Sequence, residues 1–216
     1  MEDKSSKITA EEKRYYSFMK MFDRLAPFYD FFTLPILGVR DKAASFADAK
    51  KGSRILDVCT GTGKQAFAFA KKGYDVTGID MSEGMLGIAK KKNRYRNLKF
   101  QAADVTKLPF EDSSFDVCCV SFALHDMILS IREKVLKEMV RVTKPGRIII
   151  IVDYALPRNR VWGFLVYHFV RLWEKYYPEF IRSDLDALLK KSGIGIEKEI
   201  SVMLGGGRII KGVKIK

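Results

Sequence analysis

A chain of 216 residues with 47% hydrophobic and 30% charged side chains has the makeup of an ordinary globular protein, large enough for one full core. Thirty-nine Lys and Arg against 26 Asp and Glu leave a formal charge of +13, which fits nucleic acid, an anionic membrane or plain solubility. Three cysteines and two histidines with no C-x-x-C pair exclude a disulfide framework and speak against a metal site of the zinc type.

Along the chain, residues 1–12 read as a loose tail; Met1 to Lys7 are polar, so no signal peptide is expected and the protein is expected to be cytoplasmic. Tyr15 to Phe32 carries apolar and aromatic residues at helical spacing, and a second helix is expected over Lys42 to Ala49. Residues 13–50 thus form N-terminal helices over whatever cleft the sheet offers. Strands and helices then alternate: strand 53–58, helix 64–72, strand 74–80, helix 83–92, strands 97–102 and 115–121, helix 130–142, strand 147–154. Such alternation predicts a parallel sheet with right-handed crossovers. Arg147 to Val152 is apolar on both faces, as a central parallel strand requires. Residues 155–182 read as an insertion on the substrate side. Within it Val161 to Trp173, read as a helix, is apolar nearly all round, which means burial or contact with a hydrophobic acceptor or a bilayer surface. Its longest apolar run, Val161 to Val170, is well short of the ~20 residues of a spanning helix. Ser183 to Lys191 predicts a helix with Ser183 as N-cap, and strands near 195–203 and 207–214 close the sheet. One domain spanning 1–216 accommodates all of this.

Three strands each end in an acid: Ile55-Leu56-Asp57, Gly78-Ile79-Asp80 and the strand before Asp104. After the first comes Cys59-Thr60-Gly61-Thr62-Gly63. Gly61-Thr62-Gly63-Lys64-Gln65-Ala66 also fits the dinucleotide pattern G-x-G-x-x-A, but Asp57 at the strand mouth would repel a pyrophosphate. It suits the amino group and sulfonium of S-adenosylmethionine. Asp80 then accepts from the ribose hydroxyls and Asp104 lies near the adenine amine. The alternative is that these acids only end strands and cap helices.

The motifs Asp57-x-x-x-Gly61-x-Gly63, Asp80-Met81-Ser82-x-x-Met85-Leu86 and Asp104-x-x-x-Leu108-Pro109-Phe110 resemble those of class I S-adenosylmethionine methyltransferases. Phe22-Asp23-x-x-Ala26-x-x-Tyr29-Asp30, Glu138-x-x-Arg141-Val142-x-Lys144-Pro145-Gly146 and Gly205-Gly206-Gly207-Arg208 extend the likeness to the ubiquinone/menaquinone biosynthesis C-methyltransferase group. The chain departs from that group at Cys59-Thr60, where Ala-Gly is usual, at Lys64, where an acid is usual, and after Asp30, where only Gly38 and Arg40 of a longer motif remain. The resemblance implies a Rossmann-like fold with a seven-stranded, mostly parallel sheet and helices on both faces. It also implies a cofactor site of Tyr29, Asp57, Cys59, Thr60, Gly61, Gly63, Asp80, Met81, Ala103, Asp104, Val105, Ser121 and Phe122.

Methyl transfer needs a positioned acceptor, and a base only where the acceptor must lose a proton. His125 follows the fourth strand beside Asp126 and is the candidate base, with Tyr29 and Tyr154 behind it and Arg208 as a holder of an anionic oxygen; the alternative is a histidine packed beside the cofactor or hydrogen-bonded to Asp126 for structural reasons. The expected acceptor is a small hydrophobic or amphipathic molecule such as a quinol. A phospholipid or small amine is the alternative. A nucleic-acid substrate is disfavoured because Ser121-Phe122-Ala123-Leu124 lacks the Asn/Asp-Pro-Pro-aromatic turn of enzymes that methylate base amines. A nicotinamide oxidoreductase or a silent cofactor-binding protein remains the reading outside the class.

Overall fold

The computed structural model describes residues 8–32, 37–172 and 174–215. Residues 1–7 of the expected tail, and Trp173, lie outside the described residues. The chain runs α1 (Ala10–Phe32), α2 (Leu37–Phe46), β1 (Arg54–Val58), α3 (Lys64–Lys71), β2 (Asp75–Asp80), α4 (Glu83–Lys92), β3 (Leu98–Ala102), β4 (Phe115–Ser121), α5 (Leu129–Val142), β5 (Thr143–Tyr154), α6 (Arg160–Val170), α7 (Tyr177–Arg182), α8 (Leu185–Lys191), β6 (Ile194–Val202) and β7 (Gly207–Lys214).

Seven strands form one sheet in the order β3-β2-β1-β4-β5-β7-β6. The first five are parallel, and β7 runs antiparallel to both neighbours. Ile55, Leu56 and Val58 on β1 are wholly buried, as are Val117 to Val120 on β4. Each such valine, leucine or isoleucine contributes ~1.5–3 kcal/mol of hydrophobic stabilisation. Cys118 and Cys119 point to opposite faces and join different apolar clusters. One cluster packs under α5 and α8, the other under α2 and α3, so helices cover both faces. Chain order reverses between β1 and β4, which opens a crevice at their carboxyl ends.

Several boundaries differ from expectation for local reasons. α1 begins at Ala10, inside the expected tail, because Thr9 and Glu12 form a reciprocal cap: Glu12 N–H donates to Thr9 Oγ1 and Thr9 N–H to Glu12 Oε2, both at 3.1 Å. α8 is capped by Asp184, whose Oδ1 accepts from Ala187 N–H at 2.9 Å; Ser183 instead ends α7. α2 starts earlier than the expected 42–49 and stops at Phe46, and β5 begins at Thr143 rather than 147. Among the described residues no helix is long and apolar enough to cross a membrane.

The loop carrying Leu108 and Phe110 is fixed from α5. Arg141 donates to the carbonyls of Leu108 and Phe110 at 2.9 and 2.7 Å, and Glu138 accepts from Leu108 N–H at 2.6 Å. The two motifs are one hydrogen-bonded unit.

Candidate active site

After β1 the chain makes a glycine turn whose geometry excludes larger residues. Gly63 has φ +84° and a Cβ there would lie 2.7 Å from the Phe100 ring. Gly61 N–H donates to Asp80 Oδ2 at 2.7 Å, and Asp80 Oδ1 accepts from Ser82 N–H at 2.9 Å. The acid ending β2 therefore ties the turn to the start of α4. Burial raises its pKa against those hydrogen bonds. Cys59 and Phe122, at the ends of β1 and β4, both take left-handed backbone conformations, φ +56° and +52°. Such conformations in non-glycine residues concentrate at binding sites.

A narrow cleft of about 60 Å³ opens here, lined by Tyr15, Met19, Phe22 and Tyr29 of α1, by Cys59, Gly61, Asp80 and Met81, and by Val105, Phe122, Ala123 and Asp126. Behind the turn, Arg40 Nη1, Asp57 Oδ1 and Gln65 Oε1 are buried polar atoms with no hydrogen-bond partner among the described residues. Gln65 Nε2 donates to the Arg40 carbonyl at 3.2 Å, so these groups share a corner. A guanidinium, a carboxylate and an amide oxygen left unsatisfied complement the carboxylate and ammonium of an amino acid. The donor set thus fits the amino-acid end of S-adenosylmethionine.

A second cavity of about 620 Å³ adjoins the first. Phe22, Tyr29, Phe122 and Asp126 line both. One wall is α6, through Trp162, Leu165, Val166, Phe169 and Val170. α6 is not a core helix: of its residues only Gly163 is buried, and Val161, Phe164 and Phe169 are 62–73% exposed. Its outward face is apolar, flanked by Arg158, Arg160 and Arg171.

At the base of this cavity sit His125, Asp126 and Glu174. His125 is buried, and its Nδ1 lies 2.7 Å from Asp153 Oδ1. Its Nε2 faces Asp126 Oδ2 at 3.5 Å and Glu174 Oε2 at 3.8 Å. Asp153 also accepts, through Oδ2, from the N–H groups of Leu124 and His125. The buried Arg132 braces the same turn, donating to the carbonyls of Leu124 and Met127 and to Glu179. Burial pulls the His125 imidazolium down, but Asp153, Asp126 and Glu174 together outweigh it and raise its pKa to about 10. Asp126 is pushed up to about 7 by burial and by Glu174, against the pull of His125.

The sequence expectations meet this geometry unevenly. Tyr29, Cys59, Gly61, Asp80, Met81, Val105 and Phe122 line the cleft. Asp57 stands behind it, its Oδ2 taking the Thr60 hydroxyl at 2.5 Å, and burial raises its pKa to about 7. Thr60, Gly63 and Ala103 support the lining without joining it. Ser121 Oγ, at the end of β4, is buried without a partner among the described residues. Asp104 is exposed and holds Thr106 N–H and hydroxyl in a local turn, at 2.8 and 2.7 Å. His125 is where a base was expected; three carboxylates favour its charged form, and its closest acid is Asp153 rather than Asp126. Burial raises the phenols of Tyr29 and Tyr154. Arg208 pairs with Asp186 and Glu199 and lines neither cavity. Arg132, Asp153 and Glu174 escaped sequence reading. Only Asp153 carried a signal there, an acid closing the apolar run Ile148 to Val152.

Residues 56–151 match a family described as a methyltransferase domain. The chain is 35% identical over 186 residues to the demethylmenaquinone methyltransferase of Paenarthrobacter aurescens, covering 83% of this chain and 67% of that one. It is 38% identical over 179 residues to the enzyme of the same name from Chlorobaculum parvum, covering 76% and 73%. A solved S-adenosylmethionine-dependent methyltransferase from Aquifex aeolicus shares the fold, with TM-score 0.65 at 23% identity over 82% of this chain and 89% of that one. With the crevice, the glycine turn and the acid after β2 in place, the chain belongs to the demethylmenaquinone methyltransferase family and is an S-adenosylmethionine-dependent methyltransferase.

Proposed function

We propose that the enzyme methylates a ring carbon of a hydroquinone lodged in the larger cavity. The carrying observation is the contact between the two cavities: Phe22, Tyr29, Phe122 and Asp126 belong to both, so an acceptor against α6 meets the donor at Asp126. The names of the relatives from P. aurescens and C. parvum support a quinol of the menaquinone type. The bound cofactor supplies an electrophilic methyl carbon on a sulfonium. Tyr29, Cys59, Gly61, Asp80, Met81, Val105 and Phe122 hold it in the cleft. Asp57, Thr60, Gly63, Ala103, Asp104 and Ser121 shape the strand ends behind them.

Asp126, raised above the usual carboxylate range by burial and by Glu174, takes the phenolic proton. With the cofactor bound, a ring carbon would take the methyl group as the sulfonium–carbon bond breaks to a neutral thioether; the proton on that carbon would then pass to solvent, and Asp126 would return the phenolic proton to the oxygen. His125 keeps its own proton and faces the developing phenolate as a positive charge, clamped by Asp153. Aromatic and aliphatic side chains of α6 exclude water from the ring.

The whole chain acts as one domain, with residues 155–182 as its substrate-side element. It works in the cytoplasm at a lipid surface, where the apolar outer face of α6 and its flanking arginines meet the bilayer that holds the acceptor. No nucleic acid takes part. The test is incubation with labelled cofactor and a short-chain prenylated naphthohydroquinone under reducing conditions, with products resolved by mass. A ring-methylated product is expected. The carboxylates Asp126 and Glu174 favour one competing acceptor, a cationic amine. Methylation of phosphoethanolamine with no hydroquinone turnover would replace the quinol reading.

A further inference from the structure

We infer that His125, Asp126 and Glu174 form a binding site for one divalent first-row metal ion, open toward the larger cavity. Each offers a ligand atom, and these atoms lie within 4.8 Å of one another. An ion about 2.0–2.2 Å from each donor draws them together by small side-chain rotations. One imidazole nitrogen and two carboxylates suit Mn²⁺, Fe²⁺ or Zn²⁺ and leave coordination positions free for water or an acceptor oxygen.

Three further observations point to a ligand. First, Asp153 Oδ1 lies 2.7 Å from His125 Nδ1, which leaves Nε2 aimed at the two carboxylates. A carboxylate behind a histidine is the arrangement that orients metal-binding imidazoles. Second, Asp126 Oδ1 is buried with no partner among the described residues, a lone pair set that an ion would use. Third, three carboxylates surround one imidazole, and among the described residues no lysine or arginine pairs with Asp126, Asp153 or Glu174. That excess negative charge is met by a proton on His125 or by a cation in its place. Any proton on Nε2 leaves to solvent as the metal ion enters.

The function of the ion rests on the hydroquinone reading. Bound there, it would favour ionisation of the acceptor oxygen and hold it as the anion, the tasks given above to Asp126 and the imidazolium in the metal-free site. Its binding does not rest on that reading, because the three ligands come from the chain alone.

The experiment uses the full chain stripped with EDTA and returned to neutral buffer. Mn²⁺ binding is followed by loss of the free-ion electron paramagnetic resonance signal and Zn²⁺ binding by equilibrium dialysis, both without acceptor. One ion per chain is expected. Glu174→Gln and Asp126→Asn should each weaken binding by at least about tenfold. Calorimetric binding of S-adenosylhomocysteine by Glu174→Gln shows that this variant is folded. No saturable binding of either ion, or equal affinity in wild type and Glu174→Gln, overturns the site. A chain that binds the ion yet fails to methylate hydroquinones refutes the acceptor and keeps the site. A chain that methylates them fully in EDTA and binds no ion does the reverse.

Discussion

Asp153, the acid near the end of β5, holds His125 from two sides: Oδ1 meets the ring Nδ1 at 2.7 Å, and Oδ2 accepts the His125 backbone N–H at 3.3 Å. The side chain and the turn that carries it are thus set by one buried carboxylate. Asp153→Asn keeps an oxygen for the backbone but removes the charge. The His125 pKa should then fall from about 10 back toward 6.5. The chain has only two histidines, so imidazole proton resonances followed against pH separate them readily. An unchanged titration of His125 in the variant would mean that Asp153 does not set its charge.

The same shift makes stability depend on pH. His125 is raised when folded, so its contribution is complete below 6.5 and is lost as pH rises through about 10. Asp57 and Asp126, raised from 3.8 to about 7, lose theirs at lower pH, between those values. In EDTA, the melting temperature of the wild type should fall between pH 6.5 and 9.5, and the fall should be smaller in His125→Gln, where only the carboxylates titrate. For a chain of this size each kcal/mol moves the melting temperature by roughly 2–4 °C. Parallel declines in both proteins would assign the effect to other groups.

What the sequence disclosed follows from how local its signals are. β1, β2 and β4 were legible because each is an apolar run stopped by a turn, and Asp80 lies where such a run places it. The glycine turn was legible because Gly63 is demanded by both φ and packing. The base of the larger cavity was not legible. His125, Asp153 and Glu174 come from three separate segments, and only the sheet order and the course of the chain after α6 bring them together. Helix α6 was legible only as a pair of alternatives: all-round apolarity fits a core helix as well as a cavity wall, and the structure has one side walling a cavity and the other facing outward. Asp104 shows the converse. An acid after a strand satisfied its own turn instead of reaching the cleft, and nothing local distinguishes it from Asp80.

Phe169 lines the larger cavity, whereas Tyr167 on the same helix packs against Tyr177 and takes a hydrogen bond from Arg182. Phe169→Ala removes apolar surface from the cavity and should raise the acceptor KM about tenfold, on the scale of a lost aromatic contact. Tyr167→Ala should mainly lower the melting temperature. Affinity for S-adenosylhomocysteine should be nearly unchanged in both. Equal acceptor kinetics for the two variants would remove α6 from the acceptor site.

The cleft under α1, about 60 Å³, is far below the roughly 300–1,000 Å³ of sites that enclose small molecules. An outward swing of α1 is the expected way to admit the cofactor, and two clasps oppose it. Asp23 Oδ1 accepts from Ser82 Oγ at 2.5 Å and from Gly84 N–H at 3.1 Å, joining α1 to the start of α4. Farther along, Asp30 meets Thr62, Lys64 and Lys92 beside the glycine turn. Asp23 is exposed, so Asp23→Ala removes two hydrogen bonds with little change in the core. At ~0.5–1.5 kcal/mol each, their loss should speed release of S-adenosylhomocysteine about tenfold. Stopped-flow fluorescence reads that rate, and hydrogen exchange along α1 should quicken in the same variant. An unchanged release rate with unchanged exchange would show that α1 is not held by Asp23. The cofactor would then enter by movement elsewhere around the cleft.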